Sequence, residues 1–391
     1  MHSLDEFARS KLAELERGSL RRSLAVTTRV TGIWTLRDGR RLLSFSCNDY
    51  LNLTHHPAVK EAAIEAVRTY GVGAGASRFV TGNHPLFAEL EARLARLKET
   101  EAACVFGSGY LANLGIIPAL VGSGDLVLID ELSHACLWAG ARLSRAAVVP
   151  FQHADVGHVE VLLSELRKRH ARALIATDGV FSMDGDIAPL HGLAALARRH
   201  DAWLMSDDAH GLGVLGRGRG SSFAQAARAD VPLQMGTLSK ALGSYGGYLC
   251  ASAAVVDLIR NRARTGIYST ALPPAMAAAA IAALDLIDRE PAYATLPLEK
   301  AKDFARRAGL PEPASPIVPI VLGEAEAALA AARLLEEHGF LVVAIRPPTV
   351  PAGTARLRLT FTAQHPDEEI ERLAALVRAR VLVGTGAIAA Q

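Results

Sequence analysis

The sequence predicts an α/β protein with a mostly parallel sheet in a large domain and a smaller α/β domain at the C-terminal end. Short apolar runs alternate with helix-forming stretches between residues 102 and 251, which is the pattern of a parallel sheet covered by helices on both faces. Polar clusters directly follow several of these apolar runs. After about residue 290 the pattern changes, because several prolines precede a second, shorter alternation of strands and helices.

The elements before the sheet are predicted from amphipathic spacing and turn residues. Apolar residues recur at helical spacing in three stretches, and an Asp-Gly pair is typical of a hairpin turn. These signals predict helices over residues 1–20, 57–70 and 85–99, and a hairpin over residues 30–45 with its turn at Asp38-Gly39.

The strands of the large domain are predicted from apolar runs that end in polar residues. These runs cover residues 102–106, 125–130, 173–177, 202–206, 233–236 and 248–251, and the helices between them begin near residues 109, 134 and 189. The most apolar run of the chain, residues 275–284, is predicted to be a core helix because it is too short to span a bilayer.

The C-terminal region is predicted to form a separate small unit. The predicted order is a strand over 317–322, a helix over 324–337, strands over 340–345 and 356–361, a helix over 366–377, and a frayed tail over 384–391. The sequence thus predicts an N-terminal helix and hairpin segment (1–45), a large cofactor-binding domain (46–290) and a small C-terminal domain (291–391).

Composition and charge exclude several classes of protein. The 391 residues carry a formal net charge of only +2 and the basic residues are scattered, so no nucleic-acid-binding surface is predicted. The four cysteines lie far apart, which favours a reducing compartment. The first residues contain no apolar signal segment, and the histidines lack metal-ligand spacing. We therefore expect a cytoplasmic protein without a membrane segment or a metal site.

Two polar clusters that follow apolar runs determine the chemistry that the sequence predicts. One contains Asp207 and His210, and the other contains Thr237 and Lys240. In a parallel sheet such strand ends lie at one edge, where ligands bind. A carboxylate, an imidazole, a hydroxyl and an amine suit a cofactor that has a pyridine nitrogen, a phenolic oxygen, a phosphate and an aldehyde. Pyridoxal 5'-phosphate (PLP) has all four groups, so PLP is the predicted cofactor.

Each of these side chains has a predicted role toward PLP. Lys240 would form the Schiff base, Asp207 would keep the pyridine nitrogen protonated, and His210 would donate a hydrogen bond to the phenolic oxygen. Two alternatives stay open when each residue is considered alone. Lys240 could be an ordinary exposed lysine, and His210 could be a histidine of the core. Asp208 should point to the opposite face of its strand and have a structural role.

Other candidate residues follow neighbouring strands. Residues 107–110 (Gly-Ser-Gly-Tyr) precede a helix whose first N–H groups would bind the phosphate together with Thr237, although a plain helix start is the alternative. His134 would stack on the ring or cap its helix, and Ser182 would donate a hydrogen bond to the ring oxygen. Residues 211–216 match G-x-G-x-x-G, but no helix is predicted after them, so a dinucleotide site is rejected.

Several segments together are specific for one family. They are residues 46–51, 133–135, 178–185, 207–211, 237–240 and 268–270. With these segments the chain resembles the α-oxoamine synthases of the fold-type I PLP enzymes over nearly all its length. The resemblance implies a large domain like that of aspartate aminotransferase, and a homodimer whose two active sites are shared between the subunits.

The resemblance also assigns residues by matching position. It implies that Lys240, His134 and Asp207 are catalytic. The implied cofactor-binding residues are Ser108, Gly109, Tyr110, His134, Ser182, Asp207, His210, Thr237, Lys240, Ser269 and Thr270. The last two would reach the phosphate that the partner subunit binds. The implied substrate-binding residues are Arg22, Thr349 and Arg358, with Arg22 preferred to Arg21 because of its spacing from residues 48–50.

Residues 344–358 resemble the branch of the family that makes 8-amino-7-oxononanoate in biotin synthesis. This implies a decarboxylative condensation of L-alanine with pimeloyl-CoA, or with a pimeloyl carrier-protein thioester, that releases CoA and CO2. The alternative within the family is a glycine C-acetyltransferase, which uses glycine and a short acyl-CoA. Residues 76–79 and 106–108 differ from some relatives near the substrate side, so the acyl chain stays open.

Overall fold

The computed structural model describes residues 2–383, so the predicted tail over residues 384–391 lies outside the described residues. The chain divides into two compact units. The large unit is Asn48–Leu298, and the small unit combines Met1–Cys47 with Glu299–Gln391 as far as these are described. The division at residues 45 and 290 stays a prediction about domains.

The regular elements are given in chain order. The strands are β1 (Thr28–Thr31), β2 (Trp34–Arg37), β3 (Arg40–Ser44), β4 (Ala102–Phe106), β5 (Leu126–Asp130), β6 (Ala147–Phe151), β7 (Ala173–Asp178), β8 (Trp203–Asp207), β9 (Leu233–Thr237), β10 (Gly247–Ala251), β11 (Ile317–Gly323), β12 (Phe340–Leu341), β13 (Val343–Ile345) and β14 (Ala355–Thr360). The α-helices are α1 (Ser3–Arg17), α2 (Pro57–Tyr70), α3 (Pro85–Leu97), α4 (Gly109–Leu120), α5 (Ala135–Ser144), α6 (Val156–Leu166), α7 (Leu190–Arg199), α8 (Ala253–Arg262), α9 (Arg264–Ile267), α10 (Pro274–Arg289), α11 (Leu296–Ala308), α12 (Ala325–Glu337) and α13 (Asp367–Leu376).

The large unit contains a seven-stranded sheet in the order β4-β10-β9-β8-β7-β5-β6. The strands from β9 to β6 in this order run parallel to one another, whereas β10 is antiparallel to both β4 and β9. The mostly parallel sheet predicted from the sequence is therefore confirmed. Gly247 pairs with both Phe106 and Thr237, so β10 starts at the edge where β4 and β9 end.

The two faces of this sheet are buried under different helices. On β5, Val127 and Ile129 belong to a core cluster that includes residues of α4 and α5, whereas Leu126 and Leu128 belong to a cluster that includes residues of α6 and α7. This alternation follows from the two-residue period of a strand. All residues of β5 are buried, so the prediction of a sheet covered on both faces is confirmed.

The small unit contains two further sheets, ordered β1-β2-β3-β12 and β11-β14-β13. The pairing of Arg37 with Arg40 confirms the hairpin turn at Asp38-Gly39. Strand β12 pairs in parallel with β3, so a C-terminal strand extends the sheet that the N-terminal hairpin begins. Phe45 from the N-terminal segment shares one core cluster with residues of α11, β14 and α13.

Most predicted elements are confirmed within a few residues, but β1, β6, α6, α8, α9 and α11 were not predicted. The single strand predicted over residues 340–345 is two strands, because β12 pairs with β3 and β13 pairs with β14. Helix α11 lies before the proline-rich stretch, in a segment for which no element was predicted. Within residues 2–383 the structure has no helix that combines the length and the apolar character needed to cross a membrane. The cytoplasmic location stays a prediction.

One buried histidine of the small unit is held in its neutral form. The Nε2 atom of His365 donates to the carbonyl of Ser44 at 3.0 Å, and Nδ1 accepts from the backbone N–H of Thr362 at 2.9 Å. The ring stacks on Phe45 with 4.0 Å between centroids. Burial lowers the pKa of His365 from an ordinary 6.5 to about 3.

We expect His365 to make the protein less stable in mild acid. Because the folded-state pKa lies below the ordinary value, the unfolded chain binds the proton first as the pH falls. Stability is therefore lost between pH 6.5 and about 3, by up to about 1.4 kcal/mol per pH unit. His365→Gln keeps a donor for Ser44 but does not titrate. Urea unfolding at several pH values should give a steeper pH slope for the wild type, and equal slopes would contradict this account.

Candidate active site

Polar side chains of neighbouring strands meet at one edge of the large sheet. Strand β7 ends at Asp178 and β8 ends at Asp207, and these two residues are paired in register. Asp207 in turn pairs with Met235 of β9, two residues before Thr237. The parallel strands place their carboxyl ends side by side, so residues that are far apart in the sequence surround one space.

Asp207 is buried, and both of its carboxylate oxygens accept hydrogen bonds. Oδ2 accepts from Nδ2 of Asn113 at 2.7 Å, and Oδ1 accepts from the backbone N–H of Ala209 at 3.0 Å. Asn113 lies on α4 and is itself fully buried. The sequence analysis missed Asn113, because an asparagine inside an apolar helix gives no sign of a partner 94 positions away. The two bonds fix the plane of the carboxylate.

Lys240 belongs to a hydrogen-bonded chain of side chains that includes His210 and Tyr50. Its Nζ atom is 2.8 Å from Nε2 of His210, and Nδ1 of His210 is 2.7 Å from the hydroxyl of Tyr50. Tyr50 is fully buried, and His210 is nearly so. His210 is thus a buried histidine, as the open alternative stated, and it also contacts the lysine. Tyr50 is a further member of the site that was noted only as part of a motif.

His134 caps its helix, as one of the two predicted alternatives stated. Its Nδ1 atom accepts from the backbone N–H of Cys136 at 3.2 Å, and its own backbone N–H donates to Oδ2 of Asp178 at 2.8 Å. The surrounding protein desolvates the imidazole and lowers the pKa of His134, while Asp207 partly opposes this shift and Lys240 adds to it. His134 is therefore within electrostatic reach of both predicted catalytic partners.

Asp178 is a buried carboxylate at the same edge. Desolvation raises the pKa of Asp178 well above its ordinary value, and the negative charge of Asp207 adds to the shift, whereas the bond from His134 opposes it. A positive charge nearby favours the ionised form of a buried carboxyl group. Lys240 acts in that direction on Asp178.

The start of α4 forms a cradle beside the end of β9. The side chain of Ser108 caps the helix by accepting from the N–H of Leu111 at 3.1 Å, and the first N–H groups of a helix lack intrahelical acceptors. A Cβ atom on Gly109 would lie 3.4 Å from Cβ of Thr237, and one on Gly247 would lie 2.6 Å from the carbonyl oxygen of Ser108. The close approach of the backbones of Ser108 and residue 247 therefore requires glycine at position 247, whereas a Cβ atom at position 109 would only be in tight contact with side chains. Tyr110, the next residue of α4, is exposed.

Three further predicted cofactor residues lie in loops of the large unit. Ser182 is partly buried in the loop between β7 and α7, and its neighbours connect to the sheet edge because the N–H of Gly179 donates to the carbonyl of Asp207 at 2.7 Å. Ser269 is partly buried and Thr270 is exposed, directly after α9. The role of these last two stays a prediction because it requires a partner subunit.

The predicted structural role of Asp208 is confirmed. Its Oδ2 atom forms an ion pair of 2.7 Å with Nζ of Lys98, and both side chains are buried. Lys98 also donates to the carbonyl of Arg219 at 2.7 Å, and Oδ1 of Asp208 accepts from the N–H of Ser221 at 3.0 Å. This ion pair connects the residue after α3 with the residue after β8, next to Asp207 in the sequence.

The predicted substrate residues lie in the small unit. Nη2 of Arg22 donates to Oγ1 of Thr349 at 2.8 Å, so the structure brings two of them together. Arg21 instead pairs with Glu16 at 3.0 Å. Arg358 is buried on β14, opposite Pro319 of β11.

The residues of the large unit fit PLP. Each carboxylate oxygen accepts up to two hydrogen bonds, so Asp207 retains capacity for a protonated ring nitrogen beside its bonds from Asn113 and Ala209. The amine of Lys240, the imidazole of His210 and the cradle at the start of α4 match the aldehyde, the phenolic oxygen and the phosphate. After residues 211–216 the chain forms two single-turn 3-10 helices, Gly216–Gly218 and Ser221–Phe223, where the motif requires an α-helix, so the dinucleotide motif lacks its context.

Comparisons with known proteins support this interpretation. The family described as "Aminotransferase class I and II" matches residues 40–377. A putative 8-amino-7-oxononanoate synthase of Parvibaculum lavamentivorans is 63% identical over 98% of both chains. An 8-amino-7-oxononanoate synthase of Beijerinckia indica is 62% identical over 96% of this chain and 98% of the relative. The serine palmitoyltransferase of S. paucimobilis, solved with a bound PLP–myriocin aldimine, is 28% identical with a TM-score of 0.89 and covers 99% of this chain and 100% of that chain.

Fold and site together define a PLP-dependent enzyme, and the chain belongs to the class I and II aminotransferase family. Within it the chain stands with the α-oxoamine synthases, a group of acyltransferases, because relatives named 8-amino-7-oxononanoate synthase are 61–66% identical over most of its length. The solved structure of such a synthase from Francisella tularensis is 26% identical, with a TM-score of 0.74 over 88% of this chain and 98% of that chain.

Proposed function

We propose that this enzyme condenses L-alanine with a pimeloyl thioester, from CoA or a carrier protein, and releases 8-amino-7-oxononanoate, CO2 and the free thiol. The proposal rests first on the relatives of 61–66% identity that bear the synthase name. Its structural support is the amine of Lys240 at 2.8 Å from His210, at the edge where buried Asp207 lies. The serine palmitoyltransferases are less similar in sequence, at 28–30% identity.

The roles of the large-unit residues follow from their positions. PLP would supply an electron sink for the negative charge that develops on the α-carbon of alanine. Asp207 would hold a proton on the ring nitrogen through a charge-assisted hydrogen bond. Nζ of Lys240 would take the proton from the α-carbon and return it after decarboxylation, because an amine beside a cationic ring loses its own proton more easily. His134 would lie over the ring, and His210 would donate to the phenolic oxygen.

Binding of the phosphate and of the substrates involves other residues. The first N–H groups of α4 at Gly109 and Tyr110, together with the hydroxyl of Thr237 and the turn at Ser108, would hold the phosphate dianion. Arg358 would bind the carboxylate of the amino acid as a fork-shaped donor. Arg22 and Thr349, already joined by a hydrogen bond of 2.8 Å, would contact the acyl substrate.

The proposal includes a homodimer. Phe79, Val80 and Tyr268 are exposed by 58%, 74% and 71%, and the N–H of Ala271 donates to the carbonyl of Ala76 at 3.0 Å, so the two segments that carry these side chains are joined. An apolar patch of this kind is typical of a subunit interface. If a partner subunit packs on this patch, Ser269 and Thr270 of this chain would contact the phosphate of the cofactor that the partner binds.

Product analysis tests the proposed reaction. Purified enzyme with PLP, L-alanine and pimeloyl-CoA is expected to form 8-amino-7-oxononanoate with one free thiol per product, measured by mass spectrometry and a thiol assay. A parallel reaction with a pimeloyl carrier protein identifies the preferred thioester.

The matched controls replace one substrate at a time. Glycine with acetyl-CoA tests the glycine C-acetyltransferase alternative, and serine with palmitoyl-CoA tests the activity of the solved neighbours. If either pair gives a higher kcat/KM than alanine with both pimeloyl thioesters, the proposed substrate assignment is wrong.

A further inference from the structure

His153 forms two ion pairs beside the candidate active site. Its Nδ1 atom is 3.0 Å from Oδ1 of Asp130, and its Nε2 atom is 2.9 Å from Oδ2 of Asp186. Both nitrogens therefore donate, which requires the imidazolium form. The three residues come from the end of β5, from the segment after β6 and from the loop after β7, so one cation joins three separate segments.

The charge of His153 is supported by its surroundings. Desolvation disfavours the charged ring, but the hydrogen bonds to Asp130 and Asp186 outweigh it and raise the pKa of His153 to about 10. The ring of Phe181 packs edge-on against it with 4.3 Å between centroids, and the backbone N–H of His153 donates to Oε1 of Glu131 at 3.1 Å. Asp130 thus contacts the imidazole from β5, Asp186 and Phe181 contact it from the loop after β7, and Glu131 binds the backbone of His153.

Asp186 lies at the base of the loop that carries Ser182. This loop, residues 179–188, is called the Ser182 lobe. It is closed by a bond of 3.0 Å from the N–H of Phe181 to the carbonyl of Asp186 and by a bridge between Val180 and Ile187. The ion pair with His153 thus fixes the Ser182 lobe at Asp186, next to the contacts that close the loop.

Asp130 fixes the turn on the other side of the bridge. Its Oδ1 atom accepts from the N–H of Leu132, and its Oδ2 atom accepts from the N–H of Ala154, both at 2.9 Å. Its carbonyl accepts from the N–H of Ser133 at 3.0 Å, the residue before His134. These hydrogen bonds fix the position of the Asp130 carboxylate. They also fix the turn at Leu132 and Ser133, which directly precedes His134, the histidine predicted to stack on the ring.

We propose that His153 is a positioning residue of this enzyme, which bridges Asp130 and Asp186 and so fixes the Ser182 lobe at the distance where Ser182 meets the cofactor. His153 itself does not touch the reacting atoms. Its contribution is to hold the hydroxyl of Ser182 in place before the cofactor binds, so that no ordering of the lobe is needed at that moment. The inference rests on the proposed function for the role of Ser182.

Two substitutions separate the two arms of the bridge. His153→Gln keeps a donor near the Nε2 position, His153→Asn keeps one near the Nδ1 position, and neither carries a charge. Because charge-assisted hydrogen bonds are lost, we expect the Kd of the apoenzyme for PLP to rise about tenfold and kcat to fall about tenfold in both variants. The KM for alanine should change by less than about twofold, since no substrate contact is removed.

A purely structural role predicts a different result. In that case the variants would unfold at a lower temperature but would keep the Kd for PLP and the kcat of the wild type, and this outcome would overturn the proposal. Hydrogen exchange of the apoenzyme gives a local measurement, in which amides of residues 179–188 should exchange faster in His153→Gln. His191→Gln is the matched control, because Nε2 of His191 forms an exposed hydrogen bond of 3.1 Å with the carbonyl of Ala227 and not a buried ion pair.

A double-mutant cycle tests whether His153 acts through Ser182. In a Ser182→Ala background, His153→Gln should have little further effect on the Kd for PLP, because the positioned hydroxyl is already absent. Independent, additive effects would contradict the proposal. A wild type that binds PLP and depends on His153 for binding, yet makes no product from alanine and a pimeloyl thioester, would refute the proposed function and leave this inference intact.

Discussion

Lys240→Ala is expected to lower kcat by about 10⁴-fold or more, because the variant loses both the nucleophile for the cofactor and the base for the α-proton. Both tasks belong to the proposed function, which the contact of 2.8 Å between Nζ of Lys240 and Nε2 of His210 supports. The same change should abolish the visible absorption that a covalently lysine-bound cofactor gives. Turnover assays with saturating substrates and an absorbance spectrum of the purified protein check the two results.

A matched control separates loss of chemistry from loss of fold. Lys60→Ala removes an exposed lysine of α2 and should leave turnover and spectrum unchanged. Far-ultraviolet circular dichroism should be the same for both variants. A Lys240→Ala protein that keeps both its activity and its visible absorption would refute the assignment of the site.

Lys98→Met is expected to destabilise the protein by about 3–5 kcal/mol, because it leaves the buried carboxylate of Asp208 without its counter-ion. The two groups are 2.7 Å apart, and their side chains are only 0% and 3% exposed. Chemical denaturation followed by fluorescence measures the free energy of unfolding. Asp208→Ala should have an effect of similar size, since it leaves the ammonium of Lys98 buried.

Two comparisons show whether burial is the cause. Arg198→Met breaks an ion pair whose side chains are 73% and 67% exposed, and it should cost no more than about 1 kcal/mol. The double variant Lys98→Met with Asp208→Leu removes both charges and should recover much of the loss. A loss for Lys98→Met as small as that for Arg198→Met would show that the buried pair does not stabilise the fold.

The positions of most strands of the large sheet along the chain, and the edge that carries the site, could be predicted because both depend on local patterns. Apolar runs followed by polar residues marked the ends of β7, β8 and β9, and parallel strands bring such ends together. The capping role of His134 was one of two alternatives, and the structure confirms it. Asp208 was expected to be structural from strand alternation alone, which its pair with Lys98 confirms.

The contacts that complete the site could not be predicted because they join distant positions. Lys98 was counted only as the end of a helix, and its partner Asp208 is 110 positions away. Asn113 and Asp207 are separated by 94 positions. A single sequence does not show such pairs, because the type of a polar residue does not reveal whether its side chain is buried or which distant residue it contacts.

Two elements were missed for other physical reasons. β6 lies at the edge of the sheet, where Pro150 removes no hydrogen bond that the sheet needs and where burial is incomplete. Helix α11 does carry a buried stripe, made of Ala301, Phe304, Ala305 and Ala308. That spacing was present in the sequence, but many charged residues lie between the apolar ones, so no helix was predicted there.

The reversed strand β10 determines the length and shape of the loop that contains Lys240, the lysine of the proposed mechanism. Because β9 ends and β10 starts at the same edge, residues 238–246 return directly from Thr237 to Gly247 and do not cross the sheet. The carbonyl of Gly246 accepts from the N–H of Leu238 at 2.9 Å and from the hydroxyl of Thr237 at 2.7 Å, which closes this loop. A crossover tolerates inserted residues, whereas a closed loop of fixed span transmits any change in length to the amine. We therefore expect active homologues to keep the number of residues between β9 and β10, as well as the types of the residues in this loop.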